Sequence, residues 1–404
     1  MPYGHFAIIY STIFYKLCQV KGEYKMEGRN KKMELLGNAP IPKALLAMGL
    51  PTMIGMMINA LYNLVDAYFV GGLGTSQMGA ISVAFPLGQV VVGLGLLFGN
   101  GGASYISRLL GRGDRETADR AASTALYSSI FVGAAVILCA VIFLKPLLKC
   151  LGATDSILPY AVTYAGIYVV SSIFNVFNVT MNNIVTSEGA ARTTMCVLLT
   201  GAAFNMVLDP VFIYVLKLGV AGAAIATAIS QAVSTLIYLY YVISGRSMFS
   251  FRFRNCCFSN EIMSEILKIG IPTLVFQLLT SLSITMINMQ AKPYGDSVIA
   301  GMGAVTRMIS LGSLMVFGFI KGFQPIAGYN YGAGNYERLH EAIRISVVWS
   351  TLFCAVFGLT MAVFSGPVIS RFTKDDMEMI RIGQKALKAN GLSFLLFGFY
   401  TVYS

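Results

Sequence analysis

Apolar residues run along this chain in blocks of about twenty to thirty, and each block ends at a short cluster of Gly, Pro, Asn, Asp or basic residues. Ten such blocks, near 41–70, 79–104, 121–146, 157–183, 190–216, 219–243, 262–291, 297–325, 342–368 and 382–404, predict ten helices. Each is long enough to cross a membrane, since about 20 apolar residues span the hydrocarbon core. The longest polar break, Ser244 to Leu267, carries Arg246, Arg252 and Arg254 and divides the chain in two. The pattern therefore predicts a first lobe of helices 1–6 over 41–243, an inter-lobe cytoplasmic loop over 244–261, and a second lobe of helices 7–10 over 262–404. Residues 1–40 form a basic tail outside this pattern. Its apolar run Phe6–Tyr15 is too short to span and no small-residue cleavage site follows it. Met26 and Met33 are alternative starts to Met1.

Composition fixes the environment. Of 404 residues, 56% are apolar and 12% charged, with a mean hydropathy of +0.70. An ordinary soluble domain carries roughly 25% charge, so this chain has too little polar surface to coat a globule. Disorder needs the opposite balance. The expected class is an all-α integral membrane protein. The net charge of +11 comes from 29 Lys+Arg against 18 Asp+Glu. The basic residues sit in short interruptions between apolar runs, with no aromatic-interleaved patch, so nucleic acid is not an expected partner. They also set the orientation. With the N-terminus inside, inner segments hold 19 Lys/Arg and outer loops 8, although four in the Arg371–Lys385 loop fall on the wrong side. Seven scattered cysteines and two histidines, His5 and His340, suggest neither a disulfide framework nor a zinc site.

A shift of 221 residues superimposes the sequence on itself without a gap. It aligns Gly49-x-Pro51-Thr52 with Gly270-x-Pro272-Thr273, Gly74 and Ser76 with Gly295 and Ser297, and Gly101 with Gly322. It also aligns Gly111-x-Gly113-x-x-Glu116 with Gly332-x-Gly334-x-x-Glu337, and Ala121 with Ala342. Six helices per copy is an even number, so the copies share one orientation and are parallel repeats related by an axis along the membrane normal. A cavity is expected between the two lobes. On this reading the second copy is expected to run to about 464, some 60 residues beyond 404 and two helices beyond the tenth.

Among the acidic residues, Asp66 and Asp209 lie well inside predicted helices. A carboxylate there costs on the order of 3 kcal/mol by insertion scales and marks a functional site by default. Tyr62 and Asp66 share a helix face, as do Asn205 and Asp209, each pair being four apart. Pro210 removes a backbone donor and predicts a kink in the fifth helix. Two carboxylates meeting in one dry lobe couple their protonation, which suits binding and releasing a proton or holding Na⁺ among amide and hydroxyl oxygens. The plainer alternative is that each Asp reaches the headgroup region from an outer helix end. Asp66 maps to Ile287 in the second copy, so the site belongs to the first lobe alone. Arg307 is the intramembrane charge singled out in the second lobe, either as a substrate contact or as a structural residue bonded to helix-end carbonyls. No catalytic site is expected. Gly111-Arg-Gly-Asp114 matches an intramembrane protease string, but Arg108, Arg112, Arg115 and Arg120 place it in an inner loop.

Five stretches together resemble the multidrug and toxic compound extrusion (MATE) family: Ile41-Pro-Lys with Gly49-Leu-Pro-Thr; Leu61-Tyr-Asn-Leu-Val-Asp-Ala-Tyr-Phe-Val-Gly-Gly-Leu-Gly74; Gly111-Arg-Gly-Asp; Asn205-Met-Val-Leu-Asp-Pro210; and Gln324-Pro-Ile-Ala-Gly-Tyr-Asn-Tyr-Gly-Ala333. The resemblance runs from about residue 33 to 404. It implies a two-lobe, twelve-helix antiporter, monomeric and multi-pass in the plasma membrane, that exports small organic cations or drugs in exchange for H⁺ or Na⁺. No other cofactor is implied, and membrane lipid is the remaining partner. Family sites match Asp66, Asn205, Asp209 and Thr227 as the coupling-ion site, where Na⁺ would bind. Pro51 matches the helix-1 bend, and Tyr62, Tyr164 and Asn182 match cavity residues, with Arg307 the further cavity candidate. Two alternatives stay open: a lipid-linked oligosaccharide flippase of related architecture, which would need a cationic cavity for pyrophosphate, and a non-transporting receptor or channel-like membrane protein.

Overall fold

The computed structural model describes residues 30–73, 75–151, 153–155, 157–291, 296–370 and 377–403. Most of the tail and the Gly74–Gly295 match lie outside these. A short helix over 30–37 leads into α1 (Ile41–Gly71), α2 (Thr75–Arg112), α3 (Arg115–Ile142), α4 (Leu144–Cys150), α5 (Leu158–Ser187), α6 (Ala191–Pro210) and α7 (Gly219–Ile243). After the linker come α8 (Asn260–Ala291), α9 (Asp296–Gly332), α10 (Tyr336–Val363), α11 (Ser365–Ile369), α12 (Met377–Ser393) and α13 (Phe397–Tyr403). No strand occurs among the described residues. Nine described helices are long and apolar enough to span. The tenth predicted span, 382–404, is instead divided into α12, a 3₁₀ turn at Phe394–Leu396 and α13. Arg381, Gln384, Lys385, Lys388 and Asn390 make its first half too polar to count as a continuous apolar span.

The predicted breaks between the second and third helices, and between the eighth and ninth, shrink to residues 113–114 and 333–335. Gly113 and Gly334 take positive φ, +78° and +71°, which only glycine adopts without strain. The next residue caps the following helix in both copies: Asp114 accepts from the Thr117 N–H at 3.0 Å and Asn335 from the Arg338 N–H at 3.3 Å. These turns and residues 30–40 share one face, the tail side, as the contacts of Asn330 Nδ2 with the Leu36 carbonyl (3.1 Å) and of Arg338 with the Ala39 carbonyl show.

Near the tail side the two halves meet backbone to backbone, and the repeat offset governs where. A Cβ on Gly101 of α2 would stand 2.1 Å from the Ile266 carbonyl oxygen of α8, and one on Gly270 would stand 2.1 Å from that of Leu97. In the other copy, a Cβ on Gly322 of α9 would meet the Gly49 Cα of α1 at 2.5 Å. On the pseudo-axis α2 crosses α9, where Gly111 faces the Tyr329 carbonyl and Gly332 the Arg108 carbonyl, each at 1.9 Å from a Cβ position. Membrane helices gain little from burying apolar surface against one another, so close approach of small residues supplies the association. Arg108 adds an ion pair across this junction, to Glu265 of α8 at 2.9 Å.

The linker is strapped to the first half. Met248 N–H donates to Glu188 at 2.6 Å, Ser250 N–H to Asp119 at 3.2 Å, Tyr127 OH to the Phe251 carbonyl at 3.0 Å, and Thr124 OH to the Cys257 carbonyl at 3.1 Å. In the second half α8 is the least buried spanning helix, and a surface groove runs along its Met263, Leu267 and Ile271.

Gly332→Ala should lower the thermal midpoint of the detergent-purified protein by the equivalent of about 1–3 kcal/mol of overpacking. Gly303→Ala, with nothing within 4 Å of the new methyl, should leave it unchanged or raise it. Asp114→Ala should cost about 1 kcal/mol as a lost cap. Hydrogen bonds from Thr117 hold the Asp114 carboxyl below its ordinary 3.8. Its share of stability is therefore present above about pH 4 and lost as pH falls through the lowered value, which pH-dependent melts of wild type against the variant will show.

Candidate ion and substrate site

Four of the predicted residues come together on three helices of the first half. Asp66 lies on α1, Asn205 and Asp209 on α6, and Thr227 on α7. Asn205 Nδ2 donates to Asp209 Oδ1 at 3.1 Å and approaches Thr227 Oγ1 at 3.4 Å. The Asp66 and Asp209 carboxyl groups are close enough to interact electrostatically. Asp209 is fully buried and Asn205 nearly so, at 0% and 2% exposure. Three oxygens here have no donor: Asp66 Oδ1, Asn205 Oδ1 and Asp209 Oδ2. Leaving a buried acceptor unsatisfied costs about 1–3 kcal/mol, more when it is charged. Carboxylate, amide and hydroxyl oxygens are hard donors, so this set fits a proton shared between the acids or a small hard cation such as Na⁺.

The kink predicted at Pro210 takes the form of a π-turn over Val211–Val215, closed by the Leu216 N–H to the Val211 carbonyl at 2.9 Å. The chain therefore rewinds immediately after Asp209, and such single-turn π segments recur at functional sites. Pro51 lies inside an unbroken α1, where the Thr52 hydroxyl bonds the Met48 and Gly49 carbonyls at 2.9 Å and restores hydrogen bonding near the missing N–H. Tyr164 is buried on α5, stacked on Tyr168 with centroids 5.9 Å apart, and lies within electrostatic reach of Asp66, Asp209 and Tyr62. Asn182 and Arg307 do not join this group. Asn182 lies near the tail-side end of α5, and Arg307 is exposed on α9.

Two charged residues escaped the sequence reading. Lys321, four residues from the predicted end of its helix, donates to Asn182 Oδ1 across the junction of the halves. Its signal was its position within an apolar block. Glu188 is fully buried at the α5–α6 corner. It accepts from Lys32 Nζ at 2.9 Å, Ser247 Oγ at 3.1 Å, Met248 N–H and Tyr241 OH. Nothing local in Thr186-Ser-Glu-Gly189 distinguishes this carboxylate from a solvated loop acid, because its partners lie up to 156 residues away.

The arrangement can be compared with known proteins. Residues 51–211 and 272–404 match the MatE family, well over half of the chain. The two matches begin at Pro51 and Pro272, the same 221-residue offset. The chain belongs to the MatE family. Members of that family are transporters and not enzymes, and this MatE protein is accordingly a multi-pass membrane protein. It is 29% identical over 377 residues to the multidrug export protein MepA of Staphylococcus aureus (strain MRSA252), covering 92% of this chain and 83% of that protein. It is also similar, with a TM-score of 0.87 and 29% identity, to the crystal structure of MATE in the straight conformation, over 92% of this chain and 83% of that one. The same values hold for the outward-facing conformation of a multidrug resistance MATE family transporter of the MOP superfamily.

Glu188→Ala would leave Lys32, Tyr241 and Ser247 without their shared acceptor. Removing one partner of a buried ion pair typically costs about 3–5 kcal/mol. The variant should melt earlier and become sensitive to trypsin at Arg246, whose carbonyl Lys32 holds at 2.9 Å.

Proposed function

We propose that this chain exports organic cations through the plasma membrane by alternating access, in antiport with H⁺ or Na⁺ held by Asp66, Asn205, Asp209 and Thr227. The observation that carries this reading is the convergence of three buried oxygens without a donor, one each from Asp66, Asp209 and Asn205. Two carboxylates so close repel each other unless a proton or a cation lies between them. An organic cation competes for the same charge, so binding of one weakens the other, and the coupling is reciprocal. Tyr62 and Tyr164 offer aromatic faces for the organic cation beside those acids. Pro51 gives α1, which carries Asp66, a place to bend.

The excess of Lys/Arg at the tail side makes that face cytoplasmic. Backbone contact between the halves there fits the cytoplasm-closed state, as does the likeness to an outward-facing transporter. Alternating access then consists of parting Gly49 from Gly322 and Gly101 from the α8 backbone while the outer ends close.

Binding of the fluorescent cation ethidium to purified protein tests the reading. In wild type, added Na⁺ or acidification should displace the dye. Asp209→Asn should lose that displacement and weaken ethidium about tenfold, and Asp66→Asn should do the same. Displacement undiminished in both variants overturns the ion site.

A further inference from the structure

The two helices that carry the acids are joined a second time just beyond them. Asp66 stands five residues before the end of α1 and Asp209 one before the end of α6. Three residues past Asp66, the Phe69 carbonyl accepts from Tyr214 OH at 2.6 Å, and Tyr214 follows Asp209 by five. The Phe69 and Tyr214 rings meet edge to face with centroids 6.3 Å apart. Gly72 makes room for this contact, since a Cβ there would stand 2.5 Å from the Tyr214 oxygen. Beside it, Val70 of α1 and Ile213 of the π-turn are buried in one apolar cluster with Tyr164.

The π-turn brings Tyr214 to this place. On an α-helix, residues sharing a face lie three or four apart, and a residue five beyond Asp209 would turn away from α1. The i→i+5 turn widens the helix and returns Tyr214 to the side that Asp209 faces. The turn is also held from behind. Leu218 N–H donates to the Phe212 carbonyl at 3.1 Å, and a Cβ on Gly222 of α7 would stand 2.6 Å from that carbonyl oxygen. Tyr214 thus projects from a block fixed to α7, and its hydroxyl reaches across to α1. The charge between these helices belongs to the acid pair. α5 and α7 carry no charged side chain, and Lys43 of α1, Arg192 of α6 and Arg108 and Arg112 of α2 stand near the tail-side ends. The other titratable groups facing the pair are the phenols of Tyr62, Tyr164 and Tyr168, which titrate at about pH 10 in water.

We infer that Tyr214 is a positioning residue for the acid pair: it pins α1 to the end of α6 just beyond Asp66 and Asp209 and so sets the separation of the two carboxyl groups. This deepens the ion-site reading above and rests on it. A proton or Na⁺ held between two carboxyl groups needs both at contact distance, so its affinity depends on that separation. An organic cation spreads its charge over a ring system and depends on the separation far less. Tyr214 therefore tunes the coupling ion against the organic cation, acting through the pair.

The test is displacement of ethidium from the purified chain by Na⁺ or by acidification, whichever acts in wild type. Tyr214→Phe keeps the ring and removes the donor. It should raise the Na⁺ needed for half-displacement about fivefold, the worth of one neutral hydrogen bond, or lower the pH of half-displacement by about 0.7. Ethidium affinity without the ion should change less than about twofold. Gly72→Ala keeps the donor but crowds it, and should shift displacement in the same direction. In Tyr214→Phe, where the new methyl meets no oxygen, Gly72→Ala should add little. Additive shifts, an unchanged displacement in Tyr214→Phe, or equal losses of ion and ethidium affinity would overturn the inference. Wild type that binds ethidium but releases it to neither ion, or displacement undiminished in both Asp66→Asn and Asp209→Asn, refutes the ion-site reading itself and takes this inference with it.

Discussion

Close approach of backbones at a handful of glycines holds the two halves of this molecule together. Inside a bilayer there is no water to drive apolar faces together, so contact must come from shape. Gly49, Gly101, Gly111, Gly270, Gly322 and Gly332 supply that shape because they present no side chain. An interface at atomic contact does not slide in small increments, and it favours two discrete arrangements over a continuum. The transport cycle proposed for this chain depends on that property.

The chemistry is distributed unequally over this near-symmetric frame. The first half keeps Asp66, Asp209, Asn205 and Thr227, while Asp66 has an isoleucine as its counterpart. The second half contributes Lys321 at the seam. Opposite charges thus lie apart, acids within the first lobe and an ammonium at the tail-side junction. The repeat supplies the architecture, and departures from it place the buried charges.

Much of this was legible in the sequence. Hydrophobic blocks placed nine of the spanning helices, because a membrane leaves helical hydrogen bonding as nearly the only option. Ends such as 104 against Arg112 and 325 against Gly332 fell short where polar residues continue the helix. The 221-residue offset aligned the glycines found at the crossing, Gly49 with Gly270, Gly101 with Gly322 and Gly111 with Gly332, since Gly and Pro mark positions where the backbone itself is constrained, but it did not foresee their contacts or the caps at Asp114 and Asn335. Tyr62 with Asp66, and Asn205 with Asp209, could be paired because helical spacing puts neighbours on one face. The 382–404 block is helical but interrupted by a 3₁₀ turn, because its first half is polar. Glu188 could not be read, because its ion-pair partner lies 156 residues away, and Lys321 offered only its place within an apolar block, its acceptor being 139 residues away. Asn182 shows the same limit: its residue type fitted a cavity, but its tertiary neighbours, Lys321 and Tyr238, place it at the seam.

The strapped linker has a mechanical consequence. Its length suggests a slack tether between two bodies, yet it is fastened to the first half as far as Cys257, and α8 begins at Asn260. Only residues 258–259 separate the last fastening from the first turn of the second half. Any rotation of one half against the other must therefore be absorbed by the linker at that point. The connection works as a pivot of fixed position, so the halves can rock but cannot drift apart.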